Sequence, residues 1–255
     1  MKILKFTLEG KTAFFKKPDV NTYLYFTYGN IHKVALLGIF GSILGLGGYN
    51  QMSMYNSRSP KEKKKYPDFY EKLKHIQLSI VPRSDKGLIN KKVQSFNNSV
   101  GYASKEAGGN LIIKEQWLEN PSWDIYIQVE DEISERLAEY ILNKKTVFTP
   151  YLGKNDHVAT IKDIHIYEEN ETKYIENPST INSLFIKKDF NIEDIDEEDE
   201  DIDINPFKYE ESLPLGLNEE TNLYQFETFV FTNMIIKKIN DVKAIKVKNK
   251  NLIFF

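Results

Sequence analysis

Met1-Lys2-Ile3-Leu4-Lys5-Phe6-Thr7-Leu8-Glu9-Gly10 opens the chain with apolar and polar positions in alternation. Leu4, Phe6 and Leu8 fall on one side of an extended backbone and Lys5 and Thr7 on the other, which is the period of a half-buried strand, and Gly10 ends it. Residues 31–44 then change period. Val34, Leu37, Gly41 and Leu44 share one face of a helix, with Asn30 placed to cap its start and Gly45, Gly47 and Gly48 to stop it. Gly38, Gly41 and Gly45 make a groove in that helix for a second backbone, so it is expected to lie buried on a sheet.

Working outward, a basic stretch over 57–74 carries Lys61, Lys63, Lys64 and Lys65 and ends in a short amphipathic helix over 68–74. Ile76, Leu78 and Ile80 alternate with Gln77 and Ser79 as a second strand. Residues 83–110 are polar and long for a connection inside a compact domain, and are read as a protruding, partly hairpin-like arm. Strands follow over 111–118 and 123–130 around the turn Glu119-Asn120-Pro121-Ser122. Residues 131–143 carry Ile133, Leu137, Tyr140 and Ile141 at helical spacing, and a strand is expected near 158–167. Strand, helix, strand, arm, strand, strand, helix, strand approximates a β-α-β-β-α-β ferredoxin-like unit, a frequent RNA platform. The fold class is therefore α+β: an RRM-like domain over 1–170 with its arm at 83–110, then a β-rich region over 171–255. Further strands are expected over 179–187, 224–232 and 242–255, and a solvated acidic loop over 189–203.

The chain has 255 residues, no cysteine and a formal charge of −3. The absence of cysteine removes disulfides and thiolate metal sites, and the longest apolar stretch, 34–46, is too short and glycine-broken to span a bilayer. A cytoplasmic protein with no membrane partner is expected. The small net charge hides an asymmetry: residues 1–110 carry 18 Lys and Arg against 7 Asp and Glu, whereas 111–255 carry 16 against 30. The first half can meet a polyanion.

Several motifs fail on chemistry. The glycines of 41–48 lack the lysine of a phosphate-binding loop and sit inside and after a helix, not between a strand and a helix start. Asp199, Asp201, Asp203, Asn205 and Glu210 have the spacing of a calcium loop, but Ile204 stands where such a loop turns on glycine. His32, His75, His157 and His165 have no metal-ligand spacing. No metal, no cofactor and no catalytic residue are expected. A metal-independent ribonuclease could draw its base and cation from His32, Lys33, Tyr28 and Tyr23, and is the alternative reading. The acidic second half also leaves room for a purely protein-binding scaffold.

More telling is the interleaving of cations and rings: Phe14-Phe15-Lys16-Lys17-Pro18, then Tyr23, Tyr25, Phe26 and Tyr28, then His32 and Lys33 at a helix start. Single-stranded nucleic acid asks for that combination, because cations and helix amides hold phosphates while rings stack on bases. Lys11, Lys16, Lys17, Tyr28, His32, Lys33, Arg83, Lys91 and Lys92 are the expected RNA contacts. They are expected to form one continuous cradle.

Lys5-Phe6-Thr7-Leu8-Glu9-Gly10, Ala13-Phe14-Phe15-Lys16-Lys17-Pro18 and Ala35-Leu36-Leu37-Gly38-Ile39-Phe40-Gly41-Ser42-Ile43-Leu44-Gly45 together resemble the amino-terminal signature of the CRISPR-associated family-five proteins, the RAMP subunits of type I Cascade complexes. Glu115-Gln116-Trp117-Leu118, Trp123-Asp124-Ile125-Tyr126-Ile127 and Pro150-Tyr151-Leu152-Gly153-Lys154 are similar to that family's middle region, and the arrangement is most like the type I-B branch. The resemblance covers 1–165. It implies an RRM-like domain with a long hairpin thumb that caps one end of the complex, grips the 5′ handle of the crRNA and contacts the backbone and large subunits in antiviral defence. It carries the handle role to Lys16, Lys17, His32 and Lys33, and the thumb to 83–110 with Lys91 and Lys92. In the type I-C branch the protein also cuts the CRISPR precursor with a Tyr, Lys and His set. Those three do not align here, so processing is expected from a separate subunit.

Overall fold

The computed structural model describes every residue except 20–22, 100, 103, 104, 108, 194–204 and 239. In chain order the elements are β1 Lys2–Glu9, β2 Thr12–Ala13, α1 Lys33–Leu44, α2 Tyr49–Arg58, α3 Asp68–Leu73, β3 Leu78–Pro82, β4 Lys91–Asn97, β5 Ile112–Glu119, β6 Ser122–Val129, α4 Glu132–Leu142 and β7 Thr160–Tyr167. Beyond these lie β8 Thr172–Ile175, β9 Phe185–Ile186, β10 Phe190–Ile192, β11 Lys208–Leu217, β12 Tyr224–Thr232, β13 Ile236–Lys238, β14 Ala244–Val247 and β15 Lys250–Leu252.

The central sheet has the order β3-β6-β1-β7 with every pair antiparallel. Leu4, Phe6 and Leu8 of β1 and Trp123, Ile125 and Ile127 of β6 are buried in one cluster with Leu36, Leu37, Phe40 and Ile43 of α1 and Leu137 and Ile141 of α4. Alternation therefore reads correctly along β1, but the strand is not half exposed. Its other face carries Ile3, which packs with Val81, Tyr126 and Tyr167 against Ile245, Val247 and Leu252 of the sheet β15-β14-β8. The face that RNA-recognition sheets leave open for stacking is thus covered here over much of its area. Residues beyond 170 also enter the main core through Leu184, Leu213, Leu217 and Phe229.

Helix α1 is capped by His32, not Asn30: the His32 Nδ1 accepts the Ala35 backbone N–H at 3.2 Å. Asn30 is buried two residues earlier, where its Oδ1 accepts the Trp123 indole N–H at 2.9 Å and its Nδ2 donates to the Gly87 carbonyl at 3.1 Å. A side chain that ties β6 to the loop after β3 is not free to cap a helix. The close approach expected on α1 occurs at Gly41, where a Cβ would lie 2.5 Å from the Phe69 Cβ of α3; a Cβ at Gly38 would meet nothing within 4 Å.

The arm is a hairpin, shifted from its expected bounds. β4 pairs with β5 from Lys91↔Leu118 to Asn97↔Ile112, so its second strand is the stretch read from sequence as an independent strand. The expected strand over 179–187 shrinks to Phe185–Ile186, 242–255 is a hairpin of β14 and β15, and α2 and β11 are additions to the sequence reading. Most of the acidic tract and of the calcium-like spacing lies outside the described residues.

Gly41→Val is expected to destabilise the protein by about 2 kcal/mol or more through overpacking. Gly38→Ala is expected to be neutral or stabilising by up to about 1 kcal/mol. Urea unfolding of both variants checks the contrast; equal effects would contradict the α1–α3 approach described.

Candidate nucleic-acid interface

Residues 14–19 and 23–28 lie along the β4–β5 hairpin. They are fixed from two sides. Phe14 N–H donates to the Leu152 carbonyl at 3.0 Å, and Lys17 N–H to the Phe26 carbonyl at 2.8 Å. Tyr25 is stitched onto β5, donating to the Lys114 carbonyl and accepting from the Gln116 N–H, both at 2.9 Å. The loop that holds Phe14 depends on Gly153, whose φ of 94° leaves the backbone so close that a Cβ would sit 1.9 Å from the Phe14 carbonyl oxygen. Next to it, Lys154 clamps the hairpin: its Nζ lies 3.0 and 3.1 Å from the two oxygens of the buried Glu115 carboxylate, which also accepts the Trp117 indole N–H at 2.8 Å.

At the end of this segment three expected contacts come together around a residue outside the expected set. The Glu211 carboxylate of β11 accepts the Gly29 N–H with both oxygens, at 2.9 and 3.0 Å, and the Tyr209 hydroxyl at 2.5 Å. Lys17 Nζ stands 3.7 Å from it and 5.3 Å from the centre of the Tyr28 ring. Burial lowers the Lys91 ammonium below its ordinary value; Glu211 pulls it back and Lys17 pushes it further down, so Lys91 shares the same field. Burial, then Tyr224, Asp19 and Glu211, raise the Tyr28 hydroxyl, which is enclosed without a hydrogen-bond partner. Lys16 stands on the outer side with its Nζ 4.0 Å above the Tyr25 ring. Tyr23 is 84% and Phe26 39% exposed, and Phe26 is the residue whose carbonyl accepts the Lys17 N–H.

The remaining expected contacts lie elsewhere, and a cradle through all of them is not what the fold builds. Arg83 is on the second face of the central sheet, 3.0 Å from Asp124 Oδ1, in a network with Thr7 and Lys5. Burial would raise the Asp124 carboxyl, but hydrogen bonds from Thr7, Lys5 and Arg83 hold it below its usual range. Lys92 points to the opposite hairpin face from Lys91, beside Glu119 at 3.6 Å and the Trp117 ring at 6.0 Å. Lys11 is exposed in the β1–β2 turn, where its carbonyl accepts the Asn120 N–H.

His32 and Lys33 are buried, 4% and 7% exposed. Phe15, Tyr28 and Tyr224 pack edge-on around the His32 ring, and burial drives its pKa down to about 3, so it is a neutral cap and not a cation for phosphate. Burial likewise lowers Lys33 to about 8. Both were placed on the surface by their position at a helix start, but that start lies inside the core. Glu211 was missed because β11 carries Pro214 and Gly216 at a register break, which hides the alternation of Tyr209, Glu211 and Leu213.

The architecture just described recurs among solved CRISPR-associated proteins. The sequence matches no known family profile and no characterised protein. A crystal structure of a CRISPR protein from Archaeoglobus fulgidus is similar with a TM-score of 0.54 at 8% identity, over 99% of each chain. A chain of a CRISPR RNA-guided surveillance complex is similar with a TM-score of 0.50 at 10% identity, over 92% of this chain and 91% of that one. At such identities what is shared is the fold.

The depressed Lys33 gives a testable pH dependence. Between about 8 and its ordinary value near 10.5 the unfolded chain binds a proton that the native state does not, so this group makes stability rise with pH across that window. Below about 8 its burial cost is fully present. Lys33→Met is therefore expected to stabilise the protein at pH 7, by up to about 3 kcal/mol, and the gain should vanish above about pH 10. Urea unfolding at pH 7, 9 and 10.5 reads it; a gain independent of pH would contradict the assignment.

Proposed function

We propose that this protein is the crRNA-binding subunit of a type I CRISPR effector complex, closest to the I-B branch, and that it grips the repeat-derived 5′ handle without cutting it. The observation that carries the reading is the strip at the hairpin base, where Lys17 and Lys91 share the field of Glu211, Lys16 stands over the Tyr25 ring, and the rings of Tyr23 and Phe26 in the same segment are exposed. Cations at the edge of a ring-bearing segment suit a single strand whose phosphates are held while its bases stack, each stack contributing about 1–3 kcal/mol. The order β3-β6-β1-β7, with α1 between β1 and β3 and α4 between β6 and β7, supports a ferredoxin-like RAMP unit. The β4–β5 hairpin is the element that would serve as its thumb. Backbone and large subunits of the complex are the proposed protein partners, and the cytoplasm its compartment.

A binding role is favoured over a nuclease by the state of His32. A general base works best near the operating pH, and an imidazole held near 3 by burial, with Nδ1 occupied by the Ala35 N–H, is far from that.

Replacing Lys16, Lys17 and Lys91 together by Ala should weaken binding of a handle RNA and lower the slope of log affinity against log salt by about 2, since roughly three phosphate contacts are lost. Unchanged affinity and slope would overturn the reading. Incubation of the protein with repeat RNA in EDTA should leave the RNA intact; specific cleavage that disappears in His32→Ala would establish the nuclease instead.

A further inference from the structure

Helix α2 has ten residues and none of them is buried. Its sequence, Tyr49-Asn50-Gln51-Met52-Ser53-Met54-Tyr55-Asn56-Ser57-Arg58, is rich in residues of modest helix propensity, and helices this short are marginal without packing. The structure nevertheless anchors it. Gln51 Oε1 accepts the Gly48 N–H at 3.0 Å, and Tyr49 meets Phe69 edge-on with ring centres 6.2 Å apart. The lysine run that follows is folded back onto the helix: Asn56 accepts the Lys64 N–H at 2.8 Å and donates to the Lys64 carbonyl at 3.0 Å.

Charge on this patch is one-sided. No Asp or Glu occurs between Asp19 and Glu62. Lys64 and Lys65 are paired, each at 2.6 Å, with Asp68 and Glu219, and so act as anchors. Arg58, Lys61 and Lys63 are exposed, and among the described residues none of them has an ion-pair partner; Glu62 is the one carboxylate within the run. We propose that α2 and the lysine run form a second nucleic-acid contact, a sequence-indifferent seat for the phosphates of a duplex, separate from the strip at the hairpin base.

The side chains favour that occupant. Asn50, Ser53, Ser57, Arg58 and the lysines are of the types that contact phosphate and sugar, and the helix lacks a continuous apolar stripe for a protein groove. A single strand would ask for open ring faces. Here Tyr49 and Tyr55 are 46% and 37% exposed, but the Lys64 ammonium occupies one face of Tyr55 at 4.8 Å and Tyr49 is held edge-on by Phe69, so neither ring is free on both sides. The β11–β12 ribbon separates the two contacts, with Glu211 beside Lys17 near one end and Glu219 paired with Lys65 at the other. Six residues of strand make that about 20 Å.

The test uses the full chain, a fluorescent DNA duplex of arbitrary sequence and a single-stranded oligouridylate, titrated at several salt concentrations. Arg58→Gln, Lys61→Gln and Lys63→Gln combined should weaken duplex binding by about tenfold or more and reduce the salt slope by about 3. Its thermal melt should match the parent, because all three substituted side chains are exposed. The variant lacking Lys16, Lys17 and Lys91 should keep duplex binding. Unchanged duplex affinity and slope in the α2 variant would overturn the inference, as would a loss confined to oligouridylate or a loss of duplex binding in the hairpin variant. Binding of handle RNA by the two variants reads the proposed function separately.

Discussion

Glu211 is the joint of the molecule. One carboxylate takes the Gly29 N–H, the Tyr209 hydroxyl and the Lys17 ammonium, and so fastens the β11–β12 ribbon to the segment that leads into α1. Hydrogen bonds to a charged group contribute about 1.5–3 kcal/mol, and leaving such a carboxylate buried without them costs more than they contribute. Its position also decides the electrostatics. Lys17 and Lys91 hold their place beside a negative charge, so the strip presents less positive potential than its count of lysines implies.

The same pairing runs through the chain. The first 110 residues are strongly basic and the rest strongly acidic, which reads in sequence as two oppositely charged regions. In the fold, acidic residues from the second half reach back: Glu211 to Lys17, Glu219 to Lys65, Asp124 to Lys5 and Arg83, and Glu119 to Lys92. What survives as basic surface is narrower than the charge count. It includes the hairpin base and the α2 run, and on the far sheet the exposed Lys173 and Lys246, which face each other across β8 and β14. The central sheet cannot add to it, because β8, β14 and β15 close its second face and the polar remainder there is an internal network around Asp124.

Much of the framework was legible in the sequence because it rests on period alone. β1, α1, β3, β5, β6, α4, β7 and β12 declare themselves by alternation or helical spacing, and their order already specifies an antiparallel sheet backed by two helices. The hairpin was seen as an insertion but not paired, since register depends on β5, a strand that reads equally well alone. β11 escaped through its proline and bulge, and α2 because a helix with no buried residue has no apolar period to read. The site was legible in part. Local spacing puts Lys16, Lys17 and Tyr28 near one another, but it does not show that a helix start is buried, and so His32 and Lys33 were misjudged. Nor can it show that Lys91 and Glu211 arrive from distant strands.

The most direct measurement is the salt dependence of handle-RNA binding by Glu211→Gln. The glutamine keeps an acceptor for Gly29 while removing the charge that opposes Lys17 and Lys91, so binding should tighten and the salt slope should steepen by about 0.7, one further phosphate contact on a single strand. Weaker binding, or a slope equal to that of the parent in a variant that remains folded, would contradict the view that this carboxylate is the internal counter-ion of an RNA-binding strip.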